Sequence, residues 1–275
     1  MNHKREKLIL EKLHVLGTGN AMVTKCYNTC FALQSGEEYV LVDAGGGNGV
    51  LVQLEKANIE FQQIRHLIVT HEHCDHLLGV VWVIRKIGTM MKAEQYTGEF
   101  HIWCHEGLTS TIETLAQLTL QQKLVKLIGD KILIHPVKDG QTETLLKDRY
   151  TFFDIHSTKA TQYGFYLQSG EKKITCLGDE PYNPVCEKYV QNSDWLLCEA
   201  FCLYEQREKF KPYEKHHSTV KEACELAEQL EISNLVLWHT EDKNYKNRKE
   251  LYTNEGKQYY TGNLLVPYDL EVIEI

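Results

Sequence analysis

Short apolar segments alternate with polar, glycine-containing turns along the chain, a pattern that predicts alternating strands and helices. Residues Leu8–Leu16 form the first predicted strand, which ends in the turn Gly17-Thr18-Gly19-Asn20. A hairpin is predicted next from Thr29–Gln34 and Tyr39–Asp43, and an amphipathic helix fits Gly49–Ala57. These elements are typical of an α/β protein with layered sheets.

The rest of the chain continues this alternation. Further strands are predicted at His66–Thr70, Phe100–Cys104, Lys131–His135, Tyr150–His156, Gly164–Gln168, Lys173–Leu177, Trp195–Glu199, Leu235–Trp238 and Leu270–Ile273. Helices are predicted from His76 to about Lys86 and at Leu108–Leu118, Pro184–Val190, Ser218–Leu230 and Asn247–Tyr259. Thr219 and Glu222 have the spacing of a capping box, which marks the start of a helix.

Composition excludes some classes of protein and favours others. The formal net charge is −8, which argues against a large nucleic-acid footprint because such surfaces are normally basic. The longest uncharged apolar runs, such as Leu77–Ile84, fall far short of the roughly 20 residues that cross a bilayer. Glu11 and Lys12 interrupt the apolar start Leu8–Leu10, so no signal peptide is expected. The nine cysteines follow no regular framework, which favours reduced thiols in a cytoplasmic protein.

The segment Thr70-His71-Glu72-His73-Cys74-Asp75-His76 carries the clearest chemistry. It places three imidazoles and a carboxylate directly after a predicted buried strand. On a turning loop, His71 and His73 can hold one ion while Asp75 and His76 reach a second. Imidazole nitrogen and carboxylate oxygen suit zinc, manganese or iron. The motif therefore predicts a two-metal centre.

Four residues on one loop cannot complete two coordination shells. Three other residues stand where a predicted apolar strand opens into a loop, which is where site residues commonly lie in layered α/β proteins. These residues are His156, Asp179 and His239. They are the candidate remaining ligands.

The HxHxDH motif, together with the distant His156, Asp179 and His239, resembles the metallo-β-lactamase superfamily. That resemblance covers the whole chain and implies one domain over residues 1–275 with an αββα sandwich fold. Val42-Asp43-Ala44-Gly45 also fits the family, in which this aspartate supports the metal-binding loop. The resemblance implies two divalent ions, zinc above all, with manganese or iron as alternatives.

Two segments resemble the ribonuclease Z branch of that superfamily: His217-Ser218-Thr219 at the start of a helix, and Cys198-Glu199-Ala200-Phe201 after a strand. In that branch the histidine assists phosphodiester cleavage and an acidic residue orients it, which assigns these roles to His217 and Glu199. Enzymes of the branch that process transfer RNA carry a long arm between the ligands matching His156 and Asp179. Here only 22 residues separate these two histidine and aspartate positions, which leaves no room for such an arm. The resemblance therefore implies a small or cyclic phosphodiester as substrate.

The resemblance implies a specific division of ligands. His71, His73 and His156 would bind one ion, Asp75, His76 and His239 the other, and Asp179 would bridge them. Phosphodiester cleavage would proceed through a metal-bridging hydroxide, which Asp75 could orient. His217, as an imidazolium, would bind phosphate or protonate the leaving oxygen.

Several alternatives remain open from the sequence. The same fold and metals serve lactonases, thioesterases and β-lactamases, and an RNA endonuclease like ribonuclease Z is a further possibility. A di-iron redox protein or a metal-free ligand sensor is also conceivable. The expected partner is a small-molecule substrate, with extended nucleic acid disfavoured, no membrane expected and a homodimer possible.

Overall fold

The computed structural model of the chain describes residues 10–275 and contains two seven-stranded mixed sheets. The first sheet has the order β14-β1-β2-β3-β4-β5-β6 and consists of β1 (Lys12–Gly17), β2 (Cys30–Ser35), β3 (Glu38–Val42), β4 (Ile64–Ile68), β5 (Phe100–His105), β6 (Ile132–Val137) and β14 (Val272–Glu274). The second has the order β13-β12-β11-β10-β9-β8-β7 and consists of β7 (Thr142–Leu145), β8 (Asp148–Asp154), β9 (Tyr163–Ser169), β10 (Lys172–Cys176), β11 (Trp195–Glu199), β12 (Asn234–Trp238) and β13 (Asn263–Leu265).

Helices cover the outer faces of both sheets. They are α1 (Gly49–Lys56), α2 (Cys74–Lys92), α3 (Glu106–Thr119), α4 (Gln122–Val125), α5 (Glu187–Val190), α6 (Arg207–Phe210), α7 (Val220–Gln229) and α8 (Arg248–Gly256). No helix among residues 10–275 is both long enough and apolar enough to cross a membrane.

Three apolar cores lie between the four layers of sheets and helices. Between the sheets, residues of β2 pack on residues of β12, and the ring of Phe31 stacks on Trp238 at 4.7 Å between centroids. A second core joins the first sheet to α1, α2 and α3, and a third joins the second sheet to α7 and α8. The alternation of strands and helices along the sequence agrees with these layers, and the predicted αββα sandwich is confirmed.

Parallel pairing brings the ends of several strands to one edge of the sandwich. Strands β3, β4, β5 and β6 run parallel in the first sheet, as do β10, β11, β12 and β13 in the second. Backbone pairing of Gly19 with Thr240 joins the loop after β1 to the loop after β12. The loops after β4, β10 and β12 therefore open at the same edge.

The predicted elements agree with the structure in kind and differ in some bounds. The first strand begins at Lys12, and the predicted start at Leu8 lies outside the described residues. The helix after the metal motif extends to Lys92, well beyond Lys86. The segment predicted as one helix at Pro184–Val190 is a 3₁₀ turn followed by α5. Two short strands, β7 and β13, were missed because each is an edge strand with few buried side chains.

Candidate metal centre

The metal motif spans the junction between β4 and α2. His73 has an extended backbone and stands at the N-cap, and α2 begins at Cys74. Asp75 and His76 therefore lie in the first turn of the helix, where the helix dipole favours a carboxylate. The turn from strand to helix places His71 and His73 on the loop and turns the following pair toward the same space.

Asp179, in the loop after β10, is the point on which three histidines converge. Its Oδ2 atom lies 3.6 Å from Nε2 of His71, 3.6 Å from Nε2 of His76 and 3.4 Å from Nε2 of His239. All four side chains are buried. The structure thus joins residues separated by more than one hundred positions in the sequence.

Each of these histidines is held through its other ring nitrogen. Nδ1 of His76 donates to Oδ2 of Asp43 at 2.8 Å. Nδ1 of His71 donates to the Thr70 hydroxyl at 2.9 Å, since that hydroxyl itself donates to Asp43. A proton on Nδ1 leaves the lone pair on Nε2, which faces the centre, and this is the tautomer that a metal ligand requires.

His239 follows the same rule through a residue from a distant part of the chain. Its Nδ1 lies 3.2 Å from the hydroxyl of Thr29, which donates to the carbonyl of Gly19 and therefore accepts from the imidazole. Thr29 carries no local signal in the sequence, and only the contact between the two sheets reveals its role.

Asp43 supports the motif as the resemblance implied. It adopts a left-handed backbone conformation with φ of 54°. Oδ1 accepts from the backbone N–H of Thr70 at 2.9 Å, and Oδ2 accepts from the Thr70 hydroxyl at 2.8 Å and from His76. One carboxylate therefore fixes both the start of the loop and one imidazole of the centre.

Gln162 holds Asp179 and was missed in the sequence, where nothing distinguishes it from other loop residues. Its side-chain Nε2 donates to Oδ1 of Asp179 at 2.6 Å, which leaves Oδ2 for the centre. Gly178 makes room for this contact. A Cβ atom at Gly178 would lie 2.3 Å from the Gln162 nitrogen, and the φ of 82° favours glycine as well.

Ligand atoms form two groups whose members all lie within 4.8 Å of one another: His71, His73 and Asp179, and Asp75, His76 and His239. Nε2 of His76 is buried without a hydrogen-bond partner, which is costly unless something binds it. Burial opposes charge on Asp179, yet the imidazole of His71 and its neighbours hold its pKa well below the usual range. Buried carboxylates and nitrogen donors in this arrangement fit divalent cations.

The structure does not bring His156 into either group. Its backbone has φ of 57°, its N–H donates to Asp154 at 2.7 Å, and its side chain is 47% exposed with Nδ1 4.0 Å from Asp154. This local turn directs the imidazole toward solvent beside Asp154. The expected role of His156 as a ligand is therefore not reproduced by the geometry and stays a prediction.

Comparison with known proteins agrees with this centre. A family profile described as a beta-lactamase superfamily domain matches residues 38–240. The chain belongs to the metallo-β-lactamase superfamily. The matched segment contains both ligand groups, including His239 near its end.

Relatives of this metallo-β-lactamase-fold chain support the resemblance to the ribonuclease Z branch. Ribonuclease Z of Thermococcus sibiricus is 27% identical, covering 94% of this chain and 95% of the relative. Ribonuclease Z of Bacteroides thetaiotaomicron is 22% identical, covering 83% and 84%.

Solved structures share the superfamily fold over nearly the whole chain. YhfI from Bacillus subtilis, a metallo-beta-lactamase fold protein, has a TM-score of 0.79 at 18% identity, covering 97% of this chain and all of that one. The short form of human tRNase Z has a TM-score of 0.73 at 20% identity, covering 95% and 98%. A diphosphatase from the PhnP family has a TM-score of 0.72 at 15% identity, covering 96% and 97%.

His217 stands beside the metallo-β-lactamase centre, as its place in the sequence implied. Its Nδ1 donates to the carbonyl of Asp179 at 2.9 Å, and its ring stacks on Phe201 at 4.9 Å between centroids. Burial, reinforced by His239, lowers the pKa of His217 to about 3. The surroundings thus favour a neutral imidazole in the free protein, in contrast to the imidazolium expected from the sequence.

Glu199 lies behind His217, away from the cavity. One oxygen accepts from the backbone N–H of Ser218, and the other lies 3.7 Å from Nδ1 of His217 without a hydrogen-bond partner. Burial raises the pKa of Glu199 to about 8. Its position fits a residue that acts through His217 without touching a substrate.

An open cavity of about 660 Å³ leads to the centre. His73, Asp75, Asp179, His217 and His239 line its floor. Its size is that of a small-molecule site.

Proposed function

We propose that this protein is a dinuclear metal-dependent phosphodiesterase that acts on a small or cyclic phosphodiester. The position of His217 carries this proposal: the ring borders the cavity beside Asp179 and is held by one nitrogen, which leaves Nε2 free. A free imidazole nitrogen next to a metal centre suits proton transfer or hydrogen bonding to a phosphate.

We infer that His71, His73 and Asp179 would hold one divalent ion and that Asp75, His76 and His239 would hold a second, with Asp179 close to both groups. Nitrogen-rich donor sets of this kind favour zinc, and manganese or iron would also fit. When bound, such a pair supplies a water-derived nucleophile near neutral pH and neutralises charge on a phosphate.

His217 begins the reaction neutral and protonated on Nδ1, so its Nε2 can accept a proton or a hydrogen bond from the substrate side. A proton taken there would make an imidazolium beside Glu199, whose partnerless oxygen lies 3.7 Å from Nδ1. When Glu199 is ionised, which its pKa of about 8 allows only in part near neutral pH, its charge would favour the imidazolium, which can then return the proton to the leaving oxygen. Glu199 is thus a positioning residue, and His217 the proposed catalytic residue.

A small substrate is favoured over a large RNA for two reasons. The segment between His156 and Asp179 is occupied by the hairpin of β9 and β10, which leaves no room there for an RNA-binding arm. The formal net charge of −8 also opposes a broad contact with a polyanion.

Paired assays on bis(p-nitrophenyl) phosphate and a lactone test this function with the metal-loaded protein. We expect turnover of the phosphodiester, and the variant His217→Ala should reduce kcat by about two orders of magnitude with metal content unchanged. The matched control His14→Ala removes a half-buried imidazole on β1 and should keep wild-type turnover. Turnover of the lactone alone would establish an acyl hydrolase instead, and an unchanged kcat in His217→Ala would remove the assigned role of His217.

The cytoplasmic location and the homodimer stay predictions. All nine cysteines are free thiols, which supports a reducing compartment.

A further inference from the structure

Lysines line the cavity of this acidic protein and bear on the choice of substrate. Lys159, Lys215 and Lys243 all border it. Glu241 and Asp242 border the same cavity, but each accepts a hydrogen bond from a backbone N–H group, so the lysines still indicate attraction of an anion beyond what the metal centre itself binds.

The three lysines differ in how they are engaged. Lys243 lies 3.8 Å from Asp242, and its side chain is 68% exposed. Asp242 in turn accepts hydrogen bonds from the backbone N–H groups of Thr24 and Lys25. This lysine therefore balances an acid at the edge of the cavity, which leaves Lys159 and Lys215 as the cations available to a ligand.

A hydrogen-bonded loop positions Lys159. Its backbone N–H donates to the hydroxyl of Ser157 at 3.2 Å, and that hydroxyl donates to Glu180 at 2.7 Å. The neighbouring Thr158 hydroxyl lies 2.6 Å from Nδ1 of His216. This contact joins the loop of Lys159 to the segment that carries Lys215, so both lysines lie on one wall.

Lys215 is held against the same wall. Its Nζ donates to the carbonyl of Phe210 at 2.8 Å and lies 4.8 Å from the centre of the Phe201 ring. The same ring also stacks on His217. An ammonium group fixed by one hydrogen bond keeps donors free for an anion close to the proposed catalytic residue.

The cavity also has an apolar side. Met22 and Val23 line it, and Met22 is 86% exposed. The Met22 turn is held in place, because its backbone N–H donates to the side chain of Asn20 at 2.9 Å. An exposed apolar tip on an anchored turn suits contact with a planar ring such as a nucleobase.

We propose that the site takes small nucleotide phosphodiesters that carry a second, terminal phosphate, with Lys159 and Lys215 binding that phosphate and the apolar side receiving a base. The inference rests on the proposed function and adds the substrate class. In the reaction one water is consumed: its OH ends on phosphorus, the bond from phosphorus to the leaving oxygen breaks, and that oxygen takes the remaining proton. A terminal phosphate carries nearly two negative charges at pH 7 and so gains most from paired lysines.

Two dinucleotides that differ only in the terminal phosphate test this directly. With the metal-loaded protein at low salt, kcat/KM for pApA should exceed that for ApA by about tenfold, the size expected for charge-assisted contacts. In Lys159→Gln and in Lys215→Gln this ratio should fall toward one. Added potassium chloride should also reduce the ratio in the wild type, because exposed charges are screened.

Lys172→Gln is the matched control, because it removes the same charge at the far end of β10, outside the cavity. It should keep the wild-type ratio. All three lysines are exposed, so the variants should fold, and equal melting temperatures would verify this. A wild-type ratio near one, or a ratio unchanged in both cavity variants, would overturn the inference.

The outcomes separate this inference from the function on which it rests. Hydrolysis of bis(p-nitrophenyl) phosphate with no preference between pApA and ApA would leave the phosphodiesterase standing and refute only the second phosphate site. Absence of hydrolysis of all three phosphodiesters by the metal-loaded protein would refute the proposed function itself.

Discussion

Asp43→Asn tests the support of the metal centre with a change of almost no volume. Asp43 accepts three hydrogen bonds, two from Thr70 and one from His76, and all three are buried. Asparagine offers one oxygen and one NH₂ group in the same space. If the oxygen keeps the backbone N–H of Thr70, the NH₂ group faces Nδ1 of His76 and two donors oppose each other.

The ring of His76 can relieve this conflict by moving its proton from Nδ1 to Nε2. That tautomer covers the atom which faces the centre and which otherwise is buried without a partner. Loss of a carboxylate behind a ligand histidine typically lowers metal affinity by about 10–100-fold, or about 1.4–2.8 kcal/mol. The buried Thr70 hydroxyl, which loses the carboxylate oxygen to which it donates, would cost about 1–3 kcal/mol of folding stability in addition.

Chelator competition measures the affinity, elemental analysis counts the bound ions, and thermal unfolding reports the stability. Asp148→Asn is the matched control: Asp148 is also buried, but it starts β8 and burial raises its pKa, so an amide resembles its favoured neutral form. Wild-type affinity for both ions in Asp43→Asn would refute the proposed orientation of His76.

Three further predictions address other parts of the chain. His156→Ala should lose one of the two ions if His156 is the ligand that the sequence predicts, and retention of both would end that assignment. Gly178→Ala and Gly129→Ala should each lose about 1 kcal/mol of stability because both glycines have positive φ, but only the first meets Gln162 and should also weaken metal binding. Burial lowers the pKa of His66 to about 3. The contribution of the neutral His66 ring to folding stability is therefore complete above pH 6.5 and is lost as pH falls toward 3, because the unfolded chain takes up the proton first. The melting temperature should fall less steeply over this range in His66→Gln.

The half-buried His66 of the last prediction shows one limit of sequence reasoning. His66, His101 and His135 stand on neighbouring strands, with Nδ1 of His101 3.0 Å from Nε2 of His135 and the ring of His66 stacked on that of His101. Nothing in the sequence around these three histidines distinguishes them from ordinary surface or core residues. Their proximity follows from the pairing of β4, β5 and β6, which no local pattern specifies.

Local sequence determined the elements and most of the ligand candidates. The spacing of His71, His73, Asp75 and His76 fixes which side chains share one strand-to-helix junction, because each step along an extended loop or a helix has a set direction. The capping box of Thr219 and Glu222 likewise forms as predicted, since it depends on residues three positions apart.

Tertiary structure alone decided how these residues act together. The convergence of three imidazoles on Asp179, the hydroxyl of Thr29 behind His239 and the amide of Gln162 all depend on loops that meet only when the two sheets pack. The neutral state of His217 also comes from burial, which is a property of the assembled site. Spacing along the chain specifies chemistry within a few residues, whereas the distances, protonation and orientation of a site are set by contacts between segments that are remote in sequence.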